Sequence, residues 1–327
     1  MANLQSNFQD EEVQERPQPT FADTLDALKA GESGTISAAV SYGLSGLTTA
    51  DVKRLKPVWE ALDADYRGKV LRRLVDVSEV NFELDYRSIG LLGLSDPDSE
   101  VRKAAIDVLW EDQSLELMSW LINLMLRDED TDVRAVAASA LGRFILLGEL
   151  GDLPERETVR AQEVVISLLN NVAEPVEVRR RALEAIANCS LDMVEPAINS
   201  AYRGDDHQMR VSSVFAMGRS CDNERWSKTV LKELQSSDAE MRFEAARAAG
   251  ELEISEAVIL LGRLAEGNDR EIKEVAIWSL GEIGGKRAMK VLGHLADEAG
   301  GADDSELMAL IDDALGNASL VDGDILF

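Results

Sequence analysis

One motif recurs along the chain at nearly constant spacing, and this recurrence constrains the fold more than any other feature. Each copy centres on a basic residue, here called the anchor, with an acidic residue usually four positions before it and small residues usually three and six positions after it. The anchors are Arg102, Arg134, Arg179, Arg210, Arg242 and Lys273, and Met308 occupies the slot in a fainter last copy. Most successive anchors lie about 31–32 residues apart, a spacing typical of repeat arrays in which each unit contacts only its neighbours.

Each copy reads as two helices joined by a short polar turn. An amphipathic stretch such as "EAVILLGRLAE" comes first, and the anchor helix, such as "DREIKEVAIWSLGEI", follows it. The small residues after the anchor fall on one helical face at 100° per residue, so neighbouring anchor helices can approach closely. We therefore expect the small positions to be stacking positions.

Residues flanking each anchor helix predict where it begins and ends. The S/T/D/N-x-x-E/Q spacing of capping boxes occurs at four helix starts. These pairs are Ser237 with Glu240, Asn268 with Glu271, Asp303 with Glu306, and Asp205 with Gln208. Glycines eight positions after the anchor predict left-handed caps at the helix ends. They are Gly142, Gly218, Gly250, Gly281 and Gly316.

The acidic residues before the anchors invite a catalytic interpretation if only one is considered. Their repetition instead favours a ladder of caps and ion pairs between neighbouring repeats, because structural networks also concentrate charge. The positions four before the anchor are Asp98, Asp130, Asp206, Asp238, Asp269 and Asp304.

The same alignment predicts how the chain is divided. Residues 1–19 are expected to be a disordered acidic lead-in, and residues 20–84, helical in pattern but without the motif, an N-terminal helical cap. The array of about seven repeats then covers residues 85–318, and residues 319–327 form a C-terminal tail. The longer interval between Arg134 and Arg179 predicts an inserted loop near residues 148–158.

The repeated D-x-x-x-V-R-x-x-A-x-x-A-L-G core resembles HEAT-like repeats, in particular the short type of phycobilisome-lyase-like proteins. The best matches are "DTDVRAVAASALG", "DAEMRFEAARAAG" and "DREIKEVAIWSLG". The resemblance covers roughly residues 85–318. It implies an all-α fold, a right-handed α-α superhelix or HEAT-like solenoid, whose second helices line the concave side.

Composition limits the partners. The formal net charge of -27, from 61 acidic and 34 basic residues, opposes binding to nucleic acid and favours solubility or a basic partner. The start of the chain lacks a secretory pattern, and the most apolar run, "LMSWLINLML", is shorter than the roughly 20 residues of a spanning helix. We expect no membrane insertion, and two cysteines in 327 residues favour a reducing, cytoplasmic setting.

No motif in the sequence identifies an enzyme. Phosphate-binding, dinucleotide-binding, serine-hydrolase and zinc-protease patterns are all missing. The di-iron hydroxylases of HEAT-like type use repeated His-Glu dipeptides, whereas His207 and His294 here precede Gln and Leu. We therefore expect a non-enzymatic interaction scaffold or adaptor, without catalytic residues, cofactor or metal. The alternative is a bilin lyase subunit or another factor that processes chromophore proteins, which the repeat type resembles.

A candidate binding surface follows from helical phase. Positions one and five after the anchor point away from the stacking face, and they hold ordinary polar or small residues such as Lys103 with Asp107, Arg180 with Glu184, and Ala135 with Ser139. Three later repeats instead bring aromatic residues there. The predicted strip is Val211, Phe215, Phe243, Arg247 and Trp278.

Exposed aromatic residues beside arginine are typical of binding hot spots, so the strip is expected to contact another protein, one that is basic or presents an apolar segment. The alternative is that other elements cover the strip and make it core.

Overall fold

The computed structural model describes residues 20–31, 36–299 and 304–321, and this part of the chain holds eighteen α-helices and no strand. The predicted all-α repeat fold is confirmed. The predicted lead-in at residues 1–19 lies outside the described residues, as do residues 322–327 of the predicted tail. The chain divides into two compact units, Met1–Glu111 and Asp112–Phe327.

The described residues of the first unit form six α-helices. In chain order they are α1 Phe21–Ala30, α2 Ala38–Gly43, α3 Thr49–Trp59, α4 Ala64–Val80, α5 Arg87–Gly93 and α6 Ser99–Val108. Thr20 and Thr48 begin α1 and α3 with capping boxes, completed by Asp23 and Asp51. The first anchor, Arg102, lies on α6, so this repeat belongs to the same unit as the segment predicted to be a cap.

A buried ion pair ties α4 to the turn before α6. The guanidinium of Arg67 donates from Nε and Nη2 to the two carboxylate oxygens of Asp96, each at 2.8 Å, and both side chains are buried. Arg67 stands four residues after the N-cap Asp63, the offset that separates anchor from aspartate in the repeats. The segment at residues 20–84 therefore carries an anchor-like arginine, although its surrounding sequence does not match the repeat motif.

The described residues of the second unit form six consecutive pairs of α-helices. They are α7 Leu115–Arg127 with α8 Thr131–Glu149, α9 Glu155–Asn170 with α10 Val176–Ile186, α11 Val194–Arg203 with α12 His207–Arg219, α13 Asn223–Glu233 with α14 Ala239–Glu251, α15 Val258–Ala265 with α16 Arg270–Ile283, and α17 Gly285–Ala299 with α18 Ser305–Val321. Each first helix packs on its own second helix, and the second helices pack on one another in chain order from α8 to α18. The second helices, which carry the anchors, therefore form one continuous layer.

The aspartates of the ladder cap the anchor helices. Each accepts a hydrogen bond from a backbone amide in the first turn, as in Asp238 from Met241 at 2.9 Å. The residues that do so are Asp98, Asp130, Asp206, Asp238, Asp269 and Asp304. These caps come one residue later than the predicted starts at Asp205, Ser237 and Asn268, whereas Asp303 lies outside the described residues. The carboxylate of each ladder aspartate already reaches the N3 amide, so the preceding residue stays outside the helix.

The anchors hold the turn between the two helices of a repeat. Nη1 of Arg134 donates to the carbonyl of Asp128 at 2.9 Å, and Nη1 of Arg242 donates to the carbonyl of Ser236 at 2.9 Å. Carbonyls after the first helix lack intrahelical partners, and a buried unpaired carbonyl is costly. The arginine satisfies them, which gives a physical reason for its recurrence.

The glycines after the anchors have a different role from the predicted one. Gly142 and Gly316 lie inside their helices, and Gly250 precedes the last residue of α14, so these glycines do not form left-handed caps. A Cβ on Gly250 would lie 2.8 Å from Cα of Ser279 on α16. Three other glycines meet the next second helix in the same way, at 2.9–3.1 Å from Cα: Gly142 at Ala185, Gly218 at Ala248, and Gly281 at Ala314. Close helix approach explains these four glycines.

The prediction of an inserted loop near residues 148–158 is wrong. Helix α8 continues to Glu149 and α9 begins at Glu155, so only a short connection separates them. The extra residues lengthen both helices, to 19 and 16 residues. Phe144 and Ile145, past the usual helix end, are fully buried, and this burial stabilises the extension of α8.

Candidate functional site

Two adjoining cavities open along the layer of second helices in the second unit. One has a volume of about 320 Å³ and is lined from α10, α12, α14 and α16 and their turns. The other has a volume of about 580 Å³ and is lined from α12, α14, α16 and α18. Phe243 and Glu271 line both, so we treat the two as one groove, with a Glu244 cavity and a Trp278 cavity.

The two cavities differ in chemistry. The Glu244 cavity is lined by Arg180, Arg181, Glu184, Gln208, Val211, Ala239, Glu240, Phe243, Glu244, Asp269, Glu271 and Ile272. The Trp278 cavity is lined by Arg219, Phe243, Arg247, Glu251, Glu271, Glu274, Val275, Trp278 and Leu310. The first is therefore largely charged, whereas the second has a wall of aromatic and aliphatic side chains. Both volumes fall within the range of protein sites that hold a side chain or small ligand.

Four of the five predicted strip residues line this groove. Phe243 stands one position after its anchor and Trp278 stands five after, and both are half-buried. Arg247 and Val211 also belong to the walls. Their role in binding a partner stays a prediction.

The expected exposure of Val211 is wrong, because its side chain is 7% exposed. The same offsets also bury Ala135 and Glu184 in other repeats. Helices α10, α12, α14 and α16 each pack against the second helices before and after them as well as their own first helix, so their free faces are narrower than helical phase alone suggests. At the contact between α10 and α12, the hydroxyl of Ser212 on α12 donates a hydrogen bond to the carboxylate of Glu184 on α10.

Phe215 is held beneath an arginine. The guanidinium carbon of Arg247 lies 3.9 Å from the centroid of the Phe215 ring, and that of Arg219 lies 5.6 Å from it. Phe215 lines neither cavity. Its ring therefore supports the two arginines by cation–π contact, and the aromatic part of the groove reduces to Phe243 and Trp278.

A charged cluster lines the two cavities where they adjoin. It consists of Glu244, Arg247 and Glu251 on α14 and Arg219 on α12. Nε of Arg247 lies 3.5 Å from Glu244 and 3.7 Å from Glu251, and Nε of Arg219 lies 3.4 Å from Glu251. These distances allow ion pairing, but the contacts of Arg247 lack hydrogen-bond geometry. One oxygen of Glu244, one of Glu251 and two nitrogens of Arg247 are buried without a hydrogen-bond partner.

Burial dominates the electrostatics of this cluster. It raises the pKa of Glu244 above its usual value, and the positive charge of Arg247 offsets only part of the effect. It raises the pKa of Glu251 in the same way, with Arg219 and Arg247 opposing it. Both carboxylates are therefore destabilised as ions in the free protein.

Sequence reasoning missed Glu244 and Glu251, although one signal for Glu244 was present. It stands two positions after its anchor, where Ala104, Ser212 and Val275 are buried in other repeats. A glutamate at this position departs from those three repeats, although Arg181 is also charged there. Glu251 stands near the end of the helix, and no repeat position marked it.

Among residues 20–31, 36–299 and 304–321, no group of three or more His, Cys, Asp or Glu side chains is arranged to hold a metal ion. None of the described helices combines the length and the apolar character that a membrane crossing needs.

Two parts of the chain are similar to a known repeat family. The HEAT-repeat family matches residues 91–161 and 227–310, the second of which contains α14 and α16 with the aromatic part of the groove. No protein with a curated description matches the sequence.

Solved structures resemble this chain across most of its length. In the complex of CpcE and CpcF of phycocyanin lyase from Nostoc sp. PCC7120, a chain matches with 16% identity and a TM-score of 0.55, covering 90% of this chain and 99% of that one. Importin beta matches with 16% identity and a TM-score of 0.43, covering 91% and 44%. Human deoxyhypusine hydroxylase matches with 13% identity and a TM-score of 0.36, covering 91% and 97%. At these identities the first likeness concerns the fold alone.

Proposed function

We propose that this HEAT-repeat protein is a non-enzymatic scaffold that binds another protein in the groove between α10 and α18. The observation that carries the proposal is the pairing of Phe243 and Trp278 at the walls of a 580 Å³ cavity, both half-buried on helices that stacking already stabilises. Neither aromatic side chain is needed to fill the layer of second helices, where small residues suffice. Large, rigid, partly exposed aromatic side chains are the residue type that most often dominates binding energy at protein interfaces.

Two further features support a protein partner. Arg219 and Arg247 stand beside the aromatic residues, and arginine is enriched with them at interfaces. The groove also runs across several repeats, which suits an extended segment better than a compact metabolite. The likeness to one chain of the CpcE–CpcF complex supports only the fold, so a bilin-processing role is not proposed.

The compartment proposed for this function is a reducing one. Cys189 and Cys221 are both free, Cys189 buried and Cys221 exposed. An exposed free thiol suits a setting where thiols stay reduced.

Affinity purification from the native cells tests the proposal when wild type and variants are compared. The Trp278→Ala variant should lose at least one protein that wild type retains, because truncating a hot-spot aromatic weakens a complex by about 2 kcal/mol or more. Phe82→Ala is the matched control, since Phe82 is 74% exposed in the first unit, and it should retain the same proteins as wild type.

Thermal melting of the same variants separates binding from stability. Full burial of an aromatic residue makes its truncation cost about 3–5 kcal/mol. Trp278 is partly exposed, so we expect a smaller cost and a folded protein at physiological temperature. If Trp278→Ala stays folded and still retains every protein that wild type retains, the proposal is wrong.

A further inference from the structure

Negative charge in the Glu244 cavity is not matched by its arginines. Arg180 and Arg181 are the basic residues of its wall, and both already lie within ion-pair distance of Glu177 and Glu184. The wall holds four further carboxylates, those of Glu240, Glu244, Asp269 and Glu271. The cavity therefore favours a cation.

Glu244 is the most buried of these four carboxylates, and its ion-pair contact with Arg247, at 3.5 Å, lacks hydrogen-bond geometry. Its side chain is 19% exposed, and one of its oxygens is buried without a hydrogen-bond donor. A buried acceptor left unpaired is destabilising, more so when it is charged. Glu244 is part of the wall, so a cation that enters the cavity stands beside this side chain.

Two further carboxylates of the wall, those of Glu240 and Glu271, also have few partners within the protein. Glu240 on the rim accepts a hydrogen bond from Gln208 at 3.3 Å and lies 3.9 Å from Nδ1 of His207. Glu271, which borders both cavities, has no ion-pair partner within the part of the chain that the structure describes. Negative charge is thus concentrated where the charged cavity meets the aromatic one.

The adjoining Trp278 cavity favours an apolar side chain. Its apolar walls come from Phe243, Val275, Trp278 and Leu310, and burying a large apolar side chain against them is favourable. Arg247 also lines this cavity, and two of its nitrogens are buried without a hydrogen-bond acceptor.

Building on the proposed function, we infer that the partner is a protein segment that places a lysine or arginine side chain in the Glu244 cavity and a neighbouring large apolar side chain in the Trp278 cavity. The adjoining cavities that share Phe243 require the two side chains to stand close together in the segment. An acidic segment or a nucleic acid is disfavoured, because each adds negative charge beside Glu244, Glu251 and Glu271. Pairing with Glu244 selects the partner, and the apolar contact supplies most of the affinity.

Selection from a displayed library of random twelve-residue peptides tests this inference without knowledge of the natural partner. The full chain is immobilised as wild type, as Glu244→Gln and as Trp278→Ala, with Glu224→Gln on the exposed start of α13 as the charge-matched control. Peptides selected on wild type and on the control should be enriched in a basic residue beside a large apolar one. On Glu244→Gln the basic preference should vanish while the apolar preference remains.

Binding of one selected synthetic peptide then gives the magnitude. Its dissociation constant should rise at least tenfold on Glu244→Gln, or when its basic residue is replaced by Gln, and the two changes together should add little. A melting curve for each variant establishes that the loss is not unfolding.

The outcomes separate this inference from the function on which it rests. Peptides with an apolar residue but no basic preference, lost on Trp278→Ala, would overturn the inference and leave the groove as the binding surface. Peptides that bind wild type, Glu244→Gln and Trp278→Ala equally would overturn both, as would a library that yields no binder dependent on either residue.

Discussion

The replacement Gly250→Ala tests whether close approach of second helices holds the array together. The new Cβ would lie 2.8 Å from Cα and 2.9 Å from Cβ of Ser279, whereas ordinary contacts of this kind are 3.4–4 Å. Helices α14 and α16 would have to separate by roughly 0.6–1 Å, and overpacking of this order costs about 1–3 kcal/mol. The separation would also stretch the hydrogen bond from Ser279 Oγ to the carbonyl of Ala246, now 2.8 Å. The higher helix propensity of alanine returns up to about 1 kcal/mol, so we expect a net loss of about 2 kcal/mol.

Gly293→Ala on α17 is the matched control. A Cβ at this position meets nothing within 4 Å, so only the propensity gain of up to about 1 kcal/mol should remain. Urea unfolding followed by circular dichroism at 222 nm should move the midpoint down for Gly250→Ala and up for Gly293→Ala. If Gly250→Ala is as stable as wild type or more stable, the close approach of α14 and α16 is not a stabilising feature and the reasoning fails.

Three more predictions concern buried groups. Arg67→Ala removes the partner of the buried Asp96, so urea unfolding should show a loss of about 3–5 kcal/mol, against less than about 1 kcal/mol for the exposed Arg73→Ala. Burial raises the pKa of the Cys189 thiol to about 12, so in a native thiol-labelling assay at pH 8 only Cys221 should react, and prompt labelling of Cys189 would contradict its burial. Burial raises the pKa of Glu244, so the folded state binds more protons than the unfolded state and loses stability as pH rises past the ordinary glutamate pKa. Urea unfolding at pH 4.5 and 7.5 should therefore show that the stability of Glu244→Gln relative to wild type increases with pH. A decrease would refute this.

The sequence predicted those parts of the fold that repeat. The all-α repeat architecture, the paired helices and the capping role of the aspartates all follow from residues that recur in several copies. The glycines were interpreted wrongly, because a glycine near a helix end fits both a left-handed cap and a close helix contact. Only the position of the next helix, with Ser279 opposite Gly250, distinguishes the two.

The candidate site was predictable only in part. Phe243 and Trp278 were found because they break the pattern of an otherwise polar position. Val211 has a similar helical phase but is buried, because the second helices on either side leave only a narrow face of α12 exposed. The contacts of Glu244 and Glu251 depend on the position of Arg247. Arg247 in turn contacts the ring of Phe215 on the preceding second helix. Such contacts join different repeats, and no spacing within one repeat encodes them.

The most direct test of the binding groove is photo-crosslinking in the native cells from a single position. p-Benzoylphenylalanine is placed at Phe243, which borders both cavities, and in a second protein at the exposed Phe82 as a control. A protein held in the groove should give a discrete crosslinked product from position 243 that position 82 does not give and that Trp278→Ala abolishes. Crosslinking from position 82 with none from position 243 would contradict the account.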